Sequence, residues 1–247
     1  MEQVTTKTIR DIALESPETT RVFEEFKIDF CCGGRKPLEQ ACQEAGLDYQ
    51  LISQKIADVI SKYNADPATK RPEHESPSQL IDYIVSTHHV FTASEIERLI
   101  PLMAKVCSRH GELHPELFEL QVIFDALAES LIPHMRKEET VLFPYIQGLE
   151  SALSGSGQQS PPHFGTVQNP IRMMMADHDT DGARLRKMRN ITNDYELPEG
   201  ACPSFTALFA GLEDLEKDLH RHIHLENNVL FPAAVELEQR TFAAAAA

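Results

Sequence analysis

Positive charge is scarce in this 247-residue chain: 23 Lys and Arg stand against 38 Asp and Glu, a formal net charge of −15 with His neutral. Nucleic-acid binders draw most of their affinity from cationic contacts to phosphates, so that class is excluded. Apolar runs are also short. Each is broken by charge well before the roughly 18 residues that mark a membrane-spanning helix, and no membrane association is expected. The opening stretch MEQVTTKTIRDIALE has no apolar core of a secretory signal, so the expected location is the cytoplasm. Cysteine is sparse: five, an odd count, do not describe a disulfide framework. No segment reads as a strand, and neither an electron-transfer cofactor motif nor a signalling output domain is visible. What the chain has in quantity is histidine, eleven in all, most of them in the last two thirds. With 42% hydrophobic and 25% charged residues, the composition is that of a folded protein with a core.

The pattern predicts an all-α protein in two parts. Residues 1–63 read as a small unit of short helices. Ser16-Pro17-Glu18 looks like a helix start with the hydroxyl at N-cap and Pro at the first helical position. Cys31-Cys32-Gly33-Gly34 reads as a turn, Pro37 restarts a helix, and a last helix carries Leu51, Ile52, Ile56, Val59 and Ile60. Residues 64–77, rich in Pro and polar groups without apolar periodicity, read as a linker. From Ser78 the apolar residues recur at three- and four-residue spacing, as in Leu80, Ile81, Ile84, Val85, then Ile96, Leu99, Ile100 and Met103. Four helices are expected, over about 78–110, 115–149, 170–192 and 204–239. A long loop, 151–170, falls between the two hairpins, giving an up-down four-helix bundle over 78–240. The Ala-rich tail, 241–247, is low-complexity and is left out of the fold reasoning.

Two segments repeat. His134-Met-Arg-Lys-Glu138-Glu-Thr-Val-Leu-Phe-Pro144 and His222-Ile-His-Leu-Glu226-Asn-Asn-Val-Leu-Phe-Pro232 agree at six of eleven positions. Each has a further His at a matching distance upstream: His89 lies 45 residues before His134, and His178 lies 44 before His222. The bundle therefore reads as one hairpin used twice, with a His on its first helix and His-x-x-x-Glu on its second. Residues i and i+4 share a helix face, about 5–6 Å apart at Cβ, so His and Glu of each copy reach one metal together. Four imidazoles and two carboxylates then meet in the bundle core. Such mixed N/O ligands suit iron, manganese or zinc, and paired carboxylates favour two iron or manganese ions.

A length argument sorts the remaining histidines. His134 lies about 19 residues into its helix, which at 1.5 Å per residue is ~28 Å from the turn. On the antiparallel neighbour that level is near position 91, so His88 or His89 fits, and the repeat spacing favours His89. His110 and His114 sit close to the turn, roughly 30 Å from the site by the same rise, unless the helix breaks at Pro101. His220 and His224, at ±2 from His222, point to other faces and read as ordinary structural residues. Cys42, Cys107 and Cys202 read as small packing residues.

The duplicated H-x-x-x-E followed by Leu-Phe-Pro, with His178-Asp179 on the third helix, resembles a hemerythrin-like di-iron domain. Together with Asp29-Phe30-Cys31-Cys32-Gly33-Gly34 in the small unit, the layout resembles the iron–sulfur cluster repair family (repair of iron centres, ScdA/YtfE type) over nearly the whole chain. The resemblance implies a hemerythrin-like bundle holding two non-haem iron ions, carboxylate- and oxo-bridged. Its ligands would be His89, His134, His178 and His222, with Glu138 and Glu226 as bridges. It also implies a role in restoring clusters damaged by nitric oxide or oxidants, with damaged or apo iron–sulfur proteins as partners. Iron donation is preferred over enzymatic turnover. NO or O₂ binding in a sensor, and NO or peroxide reduction, are the alternatives. Cys31 and Cys32 are candidate thiols for iron transfer, cluster contact or redox, their thiolates expected to be stabilised by backbone N–H groups around Gly33-Gly34. A homodimer is compatible with the sequence.

Overall fold

In the computed structural model the described residues are 7–63, 72–157 and 160–245. Most of the expected linker (64–71) and the last two residues of the Ala-rich tail lie outside them. Among the described residues the chain is helical and has no strand, only an isolated antiparallel bridge between Thr8 and Pro37.

The small unit begins with a helix the sequence reading did not single out, α1 (Ile9–Glu15). Thr8 and Asp11 start it with a reciprocal capping box: the Thr8 hydroxyl accepts from the Asp11 N–H (3.1 Å) and the Asp11 carboxylate from the Thr8 N–H (3.2 Å). Ser16 does not cap with its hydroxyl. Its carbonyl instead accepts from the Thr19 N–H (2.9 Å) and Oγ1 (2.7 Å), winding Pro17–Thr19 into a 3₁₀ turn ahead of α2 (Thr20–Glu25). Next come α3 (Leu38–Ala45), stopped by Gly46 at φ 68°, and α4 (Tyr49–Tyr63). Ile9, Phe23, Phe30, Leu38, Cys42 and Ile52 form their core.

The bundle consists of four rods. The first is α5 (Pro77–Tyr83), a π-helical turn (Ile84–His89) and α6 (Val90–His110). The second is α7 (Glu116–Lys137), a π turn (Glu138–Leu142) and α8 (Phe143–Leu153). The third is α9 (Gln168–Ile191), unbroken. The fourth is α10 (Pro203–Leu225), a π turn (Glu226–Leu230) and α11 (Phe231–Ala245). On one side of the π turns the first rod pairs with the fourth (α6 with α10) and the second with the third (α7 with α9); on the other side α8 of the second rod packs on α11 of the fourth and α5 of the first. Two apolar layers fill the interior, one around Leu99, Phe124, Leu185 and Leu212, the other around Ile84, Leu142, Phe143 and Phe231. Between them lies a polar level carrying the repeated His and Glu. α6 runs through Pro101 without a break, so His110 stays at the far end of the bundle, its Nε2 3.2 Å from Cys202 Sγ.

The small unit docks on α9, α10 and the last π turn. His220 and His224, read from sequence as structural residues pointing to other faces than His222, lie in this contact: His220 Nδ1 is 2.8 Å from Glu24, and His224 is fully buried with Nδ1 3.4 Å from the Phe30 carbonyl. Burial, with Arg221 nearby, pushes the His224 imidazole down to about 3, so it stays neutral. Arg10 donates to the Asn228 carbonyl (3.2 Å) and Asn228 Nδ2 to the Cys31 carbonyl (3.3 Å). The Phe30 ring, 2% exposed, packs against Phe23 at 6.0 Å and His224 at 5.4 Å. Phe30→Ala is expected to cost about 3–5 kcal/mol, as buried Phe truncations do. Urea unfolding should show the loss in a transition of the small unit, with the bundle's helical signal retained at the same urea concentration.

Candidate metal centre

Three of the four rods change from α to π winding where the repeated residues sit: the first turn ends at His89, and the other two begin at Glu138 and Glu226. A π turn widens the ring by one residue and re-aims the side chains around it, and such turns gather at functional sites. Spacing arguments built on a regular helix do not anticipate it. Within each second helix His134–Glu138 and His222–Glu226 keep the i, i+4 relation, because the π turns begin only at the two Glu residues.

The arrangement is two-sided. His89 and His222 face each other with Nε2 atoms 3.2 Å apart, and His134 and His178 do so at 3.0 Å. Glu138 and Glu226 lie between the pairs, both at 0% exposure. Each carboxylate directs one oxygen to each pair. Glu138 Oε1 is 3.3 Å from His134 Nε2 and its Oε2 3.6 Å from His89 Nε2. Glu226 Oε1 is 3.0 Å from His222 Nε2 and its Oε2 3.2 Å from His178 Nε2. Two four-residue groups result, His89/Glu138/His222/Glu226 and His134/Glu138/His178/Glu226, each with ligand atoms within 4.8 Å of one another. All six residues that the sequence singled out as ligands meet here. His88 does not: its Nδ1 turns to Asp218 (2.9 Å).

The donor set fits a cation. His89 Nδ1 lies 2.7 Å from Glu139, His134 Nδ1 3.3 Å from Asp177 and His178 Nδ1 2.9 Å from Asn227 Oδ1. With those Nδ1–H groups donating outward, the Nε2 lone pairs point inward at one another. Both Glu138 oxygens and Glu226 Oε2 are buried without a hydrogen bond of good geometry. Two buried carboxylates and a ring of lone pairs are costly unless a positive charge joins them. Without metal, protons are the available substitute. Burial opposes an imidazolium at His134, but Glu138, Glu226 and Asp177 outweigh it and raise the ring to about 9. Burial likewise opposes ionisation of Glu226, and the surrounding imidazoles hold it well below the usual carboxylate range.

The Cys31-Cys32 turn lies over the His178 side. Its backbone N–H groups do not point at the thiols, contrary to expectation. Those of Cys31, Cys32 and Gly33 all donate to Asp29 Oδ1, at 3.2, 3.0 and 3.0 Å. Gly34 is required by space, since a Cβ there would fall 2.7 Å from the Phe30 carbonyl oxygen. Cys31 Sγ is buried 3.7 Å from Cys32 Sγ. Its hydrogen bond to Cys32, together with burial and Asp29, raises the Cys31 thiol and lowers that of Cys32 against the opposing effects of burial and Asp29. Cys32 is partly exposed, with Sγ 3.9 Å from the His178 carbonyl, and lines a recess of about 190 Å³ with Arg35, Asp179 and Asn227.

Glu226→Ala removes one of the two carboxylates that both groups share. Metal content by mass spectrometry is expected to fall in both, whereas His110→Ala should leave it unchanged. In metal-free protein, the stability contributed by the His134 imidazolium is complete below pH 6.5 and disappears as pH rises through about 9. The imidazole NMR titration of metal-free protein is expected to show that midpoint, and Asp177→Asn to lower it.

Comparison with known proteins places the chain. Residues 80–234 match the model of the hemerythrin HHE cation-binding domain, and residues 5–60 match ScdA_N, described as a domain of unknown function. The iron–sulfur cluster repair protein YtfE of Yersinia pseudotuberculosis is 34% identical over 229 residues, 92% of this chain and 96% of that protein. The protein of the same name from Dickeya chrysanthemi is 33% identical over 233 residues, 94% and 98% of the two chains. That of Musicola paradisiaca is 33% identical over 237 residues, 94% and 97%. With its Cys-Cys-Gly-Gly unit docked on a duplicated His/Glu bundle, the chain belongs to the YtfE family of iron–sulfur cluster repair proteins.

Proposed function

We propose that this protein repairs iron–sulfur clusters damaged by nitrosative or oxidative stress, in the cytoplasm, by supplying iron from a centre of two non-haem ions. The observation that carries the reading is the pair of fully buried carboxylates, each with one oxygen toward each histidine pair. In this reading Glu138 and Glu226 bridge, His89 and His222 hold one ion, and His134 and His178 hold the other. The names of the relatives support the choice of cluster repair among the roles open to a di-iron bundle.

Iron is here the cargo. Two imidazoles and two carboxylate oxygens give each ion four protein donors, fewer than the six that iron accepts in octahedral sites. The nitrogen and oxygen donors are also poorer partners for iron than the thiolates and sulfides of a cluster, which favours transfer toward an apo or damaged cluster. The polar level holds the ions between two apolar layers, away from bulk water. Cys31 and Cys32 are assigned to contact with the client cluster, because the Cys32 thiol is partly exposed, of lowered pKa and beside the His178 helix. No helix among the described residues is long and apolar enough to cross a membrane.

The test is to mix anaerobically iron-loaded protein with an apo or nitrosylated iron–sulfur enzyme. Recovery of the client's cluster absorbance and activity is expected in proportion to the iron lost from this chain, and none from the Glu138→Ala/Glu226→Ala variant. Catalytic consumption of NO or peroxide without loss of iron would identify a reductase instead, and reversible gas binding alone a sensor.

A further inference from the structure

The two halves of the centre differ in what stands behind their histidines. The duplication predicts how they should match. Glu139 follows Glu138 as Asn227 follows Glu226, and these two residues receive Nδ1 of His89 and His178. Asp177 precedes His178 and receives Nδ1 of His134. The residue in the corresponding place, preceding His89, should receive Nδ1 of His222. That residue is His88, and it does not. Its ring stacks on His222, centroids 5.6 Å apart and planes within 10°, and its own Nδ1 is taken by Asp218. His222 Nδ1 is left buried with no partner, as are His88 Nε2 and Asp218 Oδ2 beside it.

An outer acceptor fixes a ligand imidazole's orientation and strengthens its donation to the metal, and losing one typically costs about 10–100-fold in metal affinity. Resting on the reading of a two-iron donor, we propose that the positions are unequal and that the ion held by His89 and His222 is the one released first. His88, standing where the other half has an acidic residue, is the positioning residue that sets the difference. Access agrees with this assignment. A groove of about 540 Å³ opens on this half, lined by Asp82, Val85, Glu139 and Phe143. Glu139 lines it, its side chain 43% exposed and its Oε1 2.7 Å from His89 Nδ1. Phe143 stacks on the His89 ring, 5.7 Å between centroids. The other half has Asp177 and Asn227 behind its histidines and the Cys turn above it, so the thiols meet the centre at its firmer side.

The experiment follows iron release from the full, iron-loaded chain into the ferrous chelator ferrozine under anaerobic conditions. Wild type is expected to lose one iron per chain about 10–100-fold faster than the other. Asp177→Ala, which removes the acceptor behind His134, should speed the slow phase until both irons leave together. His88→Asp, which restores the acceptor the repeat calls for, should slow the fast phase. Asp177→Ala lies on the half-exposed rim, so the assignment stays testable even if a buried Asp at position 88 does not fold. A single release rate for both irons of wild type would overturn the inference and leave the two-iron donor standing, as would acceleration of the fast phase by Asp177→Ala. Purified protein without two irons per chain would overturn the donor reading itself.

Discussion

Two carboxylates with no access to water, Glu138 and Glu226, set the terms for the rest of the bundle. An uncompensated buried charge costs several kcal/mol even after a protein relaxes around it. Helix packing alone does not meet that cost, because the neighbouring layers are aliphatic and aromatic. The compensation is local: four imidazole nitrogens within 3.6 Å of a carboxylate oxygen, each oriented so that a cation or a proton can sit between ring and carboxylate. The duplication follows naturally from this constraint. One hairpin supplies half a charge-compensated level, and only two hairpins packed together enclose it.

The π turns show how the helices adapt to that level. They occur in the rods carrying His89, Glu138 and Glu226 and are absent from the rod carrying His178. A bundle of regular helices offers one narrow stripe of inward positions. Widening the winding at the ligand level lets adjacent residues act in different shells, so that Glu138 faces the centre while Glu139 reaches the back of His89. Asn227 does the same for His178 after Glu226. Sequence symmetry between the hairpins is thus close at the central His and Glu and looser one residue away, where Glu139 corresponds to Asn227 and Asp177 to His88.

How much of this could be read from the residues alone divides along physical lines. The convergence of the four His and two Glu was legible because it rests on helix periodicity and an internal repeat, both local properties that survive without coordinates. The choice of His89 over His88 followed from repeat spacing, and the distance of His110 from helix rise. α1 was open to discovery in the Thr8/Asp11 pair, which satisfies the capping rule over a segment too short for strong periodicity. The roles of His220 and His224 were not legible, because their partners Glu24 and Phe30 lie some 190 residues away in sequence. The backbone of the Cys turn was misjudged for a related reason. A nearby carboxylate, Asp29, competes with the thiols for the same N–H groups, and motif reading does not weigh such competition.

The last π turn belongs to two structures at once. Glu226 and Asn227 face the centre, while Asn228, the next residue, holds the small unit through the Cys31 carbonyl and is itself held by Arg10. Three consecutive residues of one turn cannot be repositioned independently, so the closed arrangement and the occupied centre share a conformational equilibrium. Linkage then runs in both directions. Whatever factor docking contributes to cation affinity, cation binding returns to docking. Anything that draws the small unit away from the bundle would therefore weaken the hold on a bound cation from a distance, without a single contact to the residues around it.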